Sequence, residues 1–204
     1  MYSASGRRSE RLLSLVGGPA LRVLDVACGP GHLGALIRAA GNHVTGVEIS
    51  DAAAQEARRV LDDVLVFDIE GRWPDHLASA SFDVVVLGEV LEHVFDPVSV
   101  LKEVRRALVP GGRIVITTPN FLVWIARLQV LFGRFRYQRY GIFDFGHIRF
   151  FTYSYLKQVL ADADFTLQSE HHLVHPARFE GVLKRWPSLF AINFVVDARL
   201  EPEE

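Results

Sequence analysis

A strand, a glycine-rich turn, a helix and a second strand follow one another within residues 21–50, LRVLDVACGPGHLGALIRAAGNHVTGVEIS, and no other stretch narrows the fold as far. Residues 21–28 form a mostly apolar run, the pattern of a parallel strand buried on both faces. Gly29, Gly31 and Gly34 come next. A tight turn favours residues without a Cβ, and a ligand can approach the backbone closely there. Residues 33–40 carry the apolar spacing of a helix lying on a sheet, Gly41-Asn42 stops it, and residues 43–49 supply the second strand. Glu48 falls at the carboxyl end of that strand, where open parallel sheets bind ligands.

Alternation of strand and helix patterns continues through residue 163. Residues 51–61 are helix-like, 64–67 a short strand and 82–87 another apolar strand. Residues 97–108 show helix periodicity, with Pro97 in the first turn, where a missing N–H costs little. Pro110-Gly111-Gly112 ends that helix, and residues 113–118 form the next strand. A helix over 153–160, a strand over 165–173 and a last strand over 191–198 complete the order. Such alternation predicts a doubly wound parallel sheet with helices on both faces. Residues 121–150 depart from it as a long connection, and long connections inside compact domains are commonly functional.

The 204 residues, half of them apolar, can fill one substantial core, so residues 1–204 read as one domain carrying 121–150 as a substrate-side insert or lid. Lys and Arg total 22 against 24 acidic residues, a formal charge of −2 that does not favour nucleic acid as a partner. Cys28 is the only cysteine, which excludes an internal disulfide or a cysteine zinc cluster and fits a reducing cytoplasm. The first residues lack the apolar core of a secretion signal, and no run reaches the length of a membrane span. Residues 9–16 read as a short helix ahead of Gly17-Gly18-Pro19.

The spacing Gly29-Pro30-Gly31-His32-Leu33-Gly34 also satisfies the dinucleotide-binding pattern, so the turn alone admits a nicotinamide cofactor or a purely structural role. Asp25 inside the strand, Pro30 in the turn and the later strands separate these readings. With those surroundings, LDVACGPGHLG resembles the first motif of the class I S-adenosylmethionine-dependent methyltransferases, of the UbiG and MetW type. The resemblance extends over about residues 9–199. It implies a Rossmann-like α/β fold with a seven-stranded, mostly parallel sheet in the order 3-2-1-4-5-7-6, and S-adenosylmethionine as cofactor.

Site residues follow from the resemblance. Glu48 corresponds to the acid that accepts from both ribose hydroxyls, with Ile49 beside it; a carboxylate accepts without donating and so suits a diol. Gly29 and Gly31 line the methionine turn, while Gly34 serves helix–strand packing. Asp25 orients the turn or reaches the cofactor amino group through water. Asp68 is placed to accept from the adenine amine and the Ile69 backbone to meet a ring nitrogen, the alternative for Asp68 being an Asx turn. Gly88 and Glu89, in FDVVVLGEVLEHVFDP, form the floor beneath the methionine chain. His93 of the same motif reads as an internally hydrogen-bonded histidine.

For the acceptor, His147 in DFGHIRFFTYSYLKQVL is the candidate general base for a hydroxyl, with substrate contact and a structural loop role as alternatives. His171 and His172 are adjacent on an expected strand, so at most one faces the pocket. Asp144 is open to a base, an amine-binding or a loop-cap role, and His175-Pro176 to a strand-end turn. No histidine pair has the sequence spacing of a metal site, so no metal is expected. Arg127, Arg134, Arg136, Arg139 and Arg149, interleaved with aromatic residues, suit an anionic acceptor, a solvated face, or peripheral contact of residues 121–140 with an anionic membrane. The expected activity is methyl transfer to a hydroxyl of a small-molecule metabolite. Small-molecule N-methylation and a noncatalytic MetW-like partner protein are the alternatives.

Overall fold

The computed structural model describes residues 4–77 and 81–200. Helix α1 (Ala4–Val16) precedes β1 (Arg22–Val26), α2 (His32–Ala39), β2 (His43–Glu48), α3 (Asp51–Ala57), β3 (Asp63–Val66), β4 (Phe82–Gly88), α4 (Pro97–Ala107) and β5 (Leu108–Pro119). The second half holds α5 (Trp124–Leu131), α6 (Tyr153–Ala161), β6 (Phe165–Glu170), the two-residue β7 (Leu173–Val174), the short helices α7 (Glu180–Leu183) and α8 (Pro187–Phe190), and β8 (Ala191–Leu200). One sheet joins the strands in the order β3-β2-β1-β4-β5-β8-β6, with β7 paired to β8 off that path. Strands β1 to β5 pair in parallel, and β8 runs antiparallel to β5 and β6. With β7 set aside, this is the order 3-2-1-4-5-7-6 expected from the sequence.

Period-2 alternation along the central strands builds two cores, one on each face. Leu24, Val85, Leu87, Ile114 and Ile116 point to one side, where Leu101 and Val104 of α4 and Leu156 and Leu160 of α6 cover them. Val23, Val84, Val86 and Val115 point to the other, against Leu12 and Val16 of α1, Ile37 of α2 and Ala57 of α3. An apolar run with no polar face is therefore what a strand in the middle of this sheet needs. Side chains cap the starts of α4 and α6. Asp96 accepts from the Ser99 N–H at 3.0 Å ahead of Pro97, and Thr152 accepts from the Tyr155 N–H at 3.2 Å.

Three boundaries differ from the sequence expectation. Helix α1 begins at Ala4 rather than near residue 9. Pro110-Gly111-Gly112 lies inside β5 rather than before it. Phe82 pairs with Leu108 and Val84 with Arg113, so the intervening residues bulge out and the ladder resumes. The strand expected over 165–173 is broken at His171-His172 into β6 and β7, both held on β8. Between β5 and α6, residues 121–150 contain one helix, α5, and otherwise irregular chain folded on a small core of Val123, Ala126 and Phe143.

Because Ile116 is fully buried between β4 and β8 while Leu131 is 75% exposed, Ile116→Ala is expected to cost about 2–5 kcal/mol in urea unfolding. Leu131→Ala should stay within about 0.5 kcal/mol. Equal effects would contradict the placement of the core.

Candidate active site

The carboxyl ends of β1, β2, β3 and β4 open onto a cavity of about 420 Å³, inside the range of roughly 300–1,000 Å³ for small-molecule sites. Glu48, Ile49, Asp68, Ile69 and Glu89 line it, together with Phe67, Glu70 and His93. A wider, more open depression of about 700 Å³ lies at the opposite end of the sheet, against Arg22 and His43, the first residues of β1 and β2. Ligands of open α/β sheets occupy the carboxyl end, so the smaller cavity is the candidate site.

Glu48 is buried and held from both sides. The Gly29 N–H donates to Oε2 at 2.9 Å and the Ser50 N–H to Oε1 at 2.8 Å, which fixes the carboxylate plane while each oxygen keeps a lone pair. Gly29 and Gly31 have φ of 56° and 85°, and a Cβ at Gly31 would stand 2.9 Å from Val60 Cγ2. Both form the turn but are not among the residues lining the cavity, nor is Gly88. At Gly34 a Cβ would fall 2.6 Å from Leu61 Cδ2, so this glycine serves packing.

Asp25 lies behind the turn, buried, with Oδ2 lacking a hydrogen-bond partner. Burial pushes its carboxyl up to about 7, against a weaker opposing effect of the Gly34 backbone N–H. Cys28 is inert there: burial, then the Asp25 and Glu48 carboxylates, push its thiol up to about 12.

Asp68 and Ile69 close the next wall. The Glu70 N–H donates to Asp68 Oδ1 at 2.9 Å, an Asx turn that leaves Oδ2 for a ligand. Trp73 Nε1–H donates to the Ile69 carbonyl at 3.0 Å, which fixes the backbone of this wall. The Glu70 carboxylate accepts from the Phe95 N–H and ties this wall to the segment after β4. Ile49, 65% exposed, projects over the opening.

Glu89 sits in the left-handed region at φ 61°, its N–H donating to the Thr117 carbonyl at 3.0 Å. Its side chain is bound at both oxygens, by Arg8 Nη1 at 2.7 Å from α1 and by Asn193 Nδ2 at 3.0 Å from β8. Sequence reasoning named neither Arg8 nor Asn193. Arg8 makes the cover supplied by α1 more substantial than a short helix implied.

His93 is internally hydrogen-bonded, as its motif suggested, but it also reaches the cavity, which His147 does not line. His93 lines the cavity and is exposed, whereas His147, the candidate base, is buried and packs edge-on against the His93 ring at 4.9 Å between centroids. His93 Nδ1 bonds the Gly146 carbonyl at 2.9 Å and His147 Nδ1 the Ile142 carbonyl at 3.1 Å. Beside them lies Glu92, fully buried, with Thr118 Oγ1 donating to its Oε2 at 3.0 Å. Burial and then the neighbouring Glu89 carboxylate push Glu92 upward. Histidines far apart in sequence are thus adjacent in space.

Other candidates lie away from the cavity. His172 is buried against Tyr153 and Phe194, and desolvation lowers its pKa. His171 donates its N–H to the Val195 carbonyl at 2.8 Å, on the far edge of the sheet. His175, in a turn after β7, accepts from Trp124 Nε1 at its carbonyl. Asp144 caps its own loop, accepting from the Gly146 N–H at 2.8 Å. Arg127 and Arg149 spend their guanidinium groups on backbone carbonyls, of Leu122 and Ser188 and of Phe95, while Arg134, Arg136 and Arg139 are exposed.

Four carboxylates, Glu48, Asp68, Glu70 and Glu89, face the cavity, and none of the described residues lining it is Lys or Arg. That wall repels a dinucleotide's diphosphate and suits a cationic nucleoside. A family model described as a methyltransferase domain matches residues 5–170. The chain belongs to the class I S-adenosylmethionine-dependent methyltransferases.

The ubiquinone biosynthesis O-methyltransferase of Idiomarina loihiensis is 40% identical over 103 residues, 48% of this chain and 42% of that protein. Its counterpart from Aromatoleum aromaticum is 38% identical over 108 residues, 48% and 44% of the two chains. The matches therefore span less than half of these relatives' length. A crystal structure of an S-adenosylmethionine-dependent methyltransferase from Methanosarcina mazei superposes with a TM-score of 0.68 at 21% identity, covering 92% of this chain and 95% of that one. The residues of the cavity fit the methyltransferase cofactor: a fixed carboxylate that can accept from a ribose diol, a second acceptor in Asp68 Oδ2, and acidic walls for its positive charge.

The raised Asp25 carboxyl makes a stability prediction for the ligand-free methyltransferase. The folded chain holds this proton more tightly than the unfolded chain, so its contribution to stability falls as pH rises from about 4 to about 7. Asp25→Asn should be more stable than the parent at pH 8, by up to a few kcal/mol on the order of 1.4 kcal/mol per pKa unit, with the difference closing toward pH 4. Parallel curves of unfolding free energy against pH would refute the assignment.

Proposed function

We propose that this methyltransferase transfers a methyl group from S-adenosylmethionine to a hydroxyl oxygen of a small-molecule metabolite. When bound, the cofactor supplies a methyl group already activated by its positive sulfur. Glu48 accepts from the ribose hydroxyls, Ile49 covers the adenine, and Asp68 with the Ile69 N–H reads its edge. Gly29, Gly31 and the Gly88-Glu89 floor accommodate the methionine end, with Asp25 holding the turn from behind. Aligning the acceptor with the methyl group and excluding water contribute the remaining catalysis.

The imidazole pair at the end of the cavity carries the choice of oxygen. A hydroxyl must shed a proton as it is methylated, whereas a neutral amine needs no strong base. His93 presents its ring to the cavity and His147 fixes that ring from behind, so the pair is positioned to handle the acceptor's hydroxyl group. An amine acceptor would need an acidic anchor, and Glu89 and Asp144 are the carboxylates to consider. Both Glu89 oxygens are taken by Arg8 and Asn193, and Asp144 caps a loop. Similarity to the two ubiquinone-pathway O-methyltransferases points the same way.

A methyl-transfer screen over phenols, sugars, hydroxy acids and amines should show turnover with hydroxyl acceptors; turnover confined to amines would overturn the oxygen assignment. On the acceptor found, His147→Ala should lower kcat by about 10²–10⁴-fold while cofactor affinity stays unchanged. Equal turnover would remove His147 from the reaction. Titration of the folded chain with S-adenosylmethionine separates enzyme from noncatalytic partner protein: binding weakened by Glu48→Ala supports the first, and no binding the second.

Peripheral membrane contact through residues 121–140 is also part of the proposal. Leu131, Phe132 and Tyr140 are exposed beside Arg134, Arg136 and Arg139, and among the described residues no helix is long and apolar enough to cross a membrane. Cosedimentation with anionic vesicles should exceed that with zwitterionic ones and fall when the three arginines are replaced by Ala. Equal pelleting with both lipids would contradict it.

A further inference from the structure

We propose that His172 is a proton-operated latch on β8: neutral, it holds the strand that braces the Glu89 floor of the cofactor cavity, and protonated, it releases that strand and weakens cofactor binding. Its functional half rests on S-adenosylmethionine binding in that cavity and not on the chemistry of the acceptor. The latch sits at the break between β6 and β7. Glu170 pairs with Val196 and Leu173 with Asn193, so His171 and His172 span the gap. There the His171 N–H donates to the Val195 carbonyl at 2.8 Å, and His172 Nδ1 accepts from the Val195 N–H at 3.2 Å. The imidazole thus takes the place that a strand carbonyl holds in an unbroken ladder.

An amide N–H only donates, so Nδ1 carries a lone pair and the neutral ring holds its proton on Nε2. That nitrogen lies 3.3 Å from Glu170 Oε2, near enough for attraction but without hydrogen-bond alignment. A charged imidazole carries a proton on both nitrogens, and two donors would then face each other at Val195. The ring is buried, so water cannot stand in for the lost acceptor. It keeps its place only while neutral.

The elements packed around the ring set the pH range. Strand β6 supplies Glu170, whose Oε1 accepts from the Tyr153 hydroxyl. Helix α6 supplies Tyr153, edge-on to the imidazole at 5.7 Å between centroids, with Lys157 Nζ 4.8 Å from the centre of that phenol ring. The connection supplies His171, and β8 presents Phe194, which does not titrate. Burial lowers the His172 pKa; Glu170 opposes this and His171 adds to it. The unfolded chain therefore takes up this proton first as pH falls through about 6.5, so the latch stabilises the fold fully above that pH and progressively less below it.

A short run of chain joins the latch to the cavity. Leu173, the residue after His172, pairs with Asn193, and Asn193 Nδ2 donates to Glu89 Oε1 at 3.0 Å. Glu89 lines the cavity in a left-handed conformation that its partners maintain. Release of the ring loosens Leu173 and Asn193 together, and Arg8 is then the described partner left on the Glu89 carboxylate.

The test follows hydrogen exchange of the Val195 amide by NMR in the ligand-free full chain, and S-adenosylmethionine affinity by calorimetry, above and below about pH 6.5. Protection of Val195 relative to the unfolded chain should fall on the acid side by about fivefold or more, the equivalent of one net hydrogen bond, and affinity should fall with it. In His172→Asn the side-chain oxygen replaces Nδ1 as acceptor and takes up no proton, so both quantities should lose that acid-side drop. Its melting temperature above that pH checks the fold. Glu170→Gln is the second variant: without the carboxylate that favours the charged ring, opening at Val195 should move to lower pH. Protection that does not fall in acid, that falls equally in His172→Asn, or whose midpoint stays put in Glu170→Gln overturns the latch. Opening at Val195 with affinities that change alike in parent and His172→Asn overturns its link to the cavity. A chain that opens at Val195 but binds no S-adenosylmethionine on either side of that pH overturns the cofactor reading and leaves the strand latch standing.

Discussion

Backbone N–H groups of Gly29 and Ser50 hold the Glu48 carboxylate at the seam between β1 and β2, and the rest of the site is arranged around that clamp. A buried carboxylate is costly unless it is hydrogen-bonded. Here its two donors come from the glycine turn and from the residue that caps α3, so the same bonds set the turn, start the helix and aim a pair of acceptors into the crevice. The glycines matter through this clamp more than through contact with a ligand, since they shape the turn without lining the cavity.

Support for the clamp comes from the sheet. Two cores on opposite faces keep β1 and β4 rigid at the centre, and their carboxyl ends deliver the glycine turn and the Gly88-Glu89 floor to one place. Helix α1 packs Leu12 and Val16 into one core and reaches Glu89 with Arg8. The antiparallel β8 brings Asn193 to the other oxygen of the same carboxylate. The floor is thus braced by the first and last described elements, and the left-handed conformation of Glu89 persists because these partners hold it.

Local patterns made most of this legible. Continuous apolar runs located the central strands, and the glycine turn followed by an acid at a strand end located the crevice. Contacts between distant segments left no such trace. Arg8 and Asn193 are 81 and 104 residues from Glu89, and no spacing links them to it. His93 and His147 each stood out as histidines, but their order along the cavity is set when the Ile148 and Arg149 N–H groups dock on the Glu92 carbonyl. Pro110-Gly111-Gly112 read as the end of a helix, yet residue type alone does not say that strand pairing starts before it, at Leu108, and resumes beyond it, at Arg113.

A cavity lined by four carboxylates and, among the described residues, by no Lys or Arg suits a cationic nucleoside, with the buried Glu48 carboxylate held at its wall. The most direct measurement is a crystal structure of the chain with S-adenosylhomocysteine. The ribose hydroxyls should donate to Glu48, with adenine between Ile49 and the Asp68-Ile69 wall. A ligand seated instead in the depression by Arg22 and His43, or bound with its ribose away from Glu48, would contradict the account.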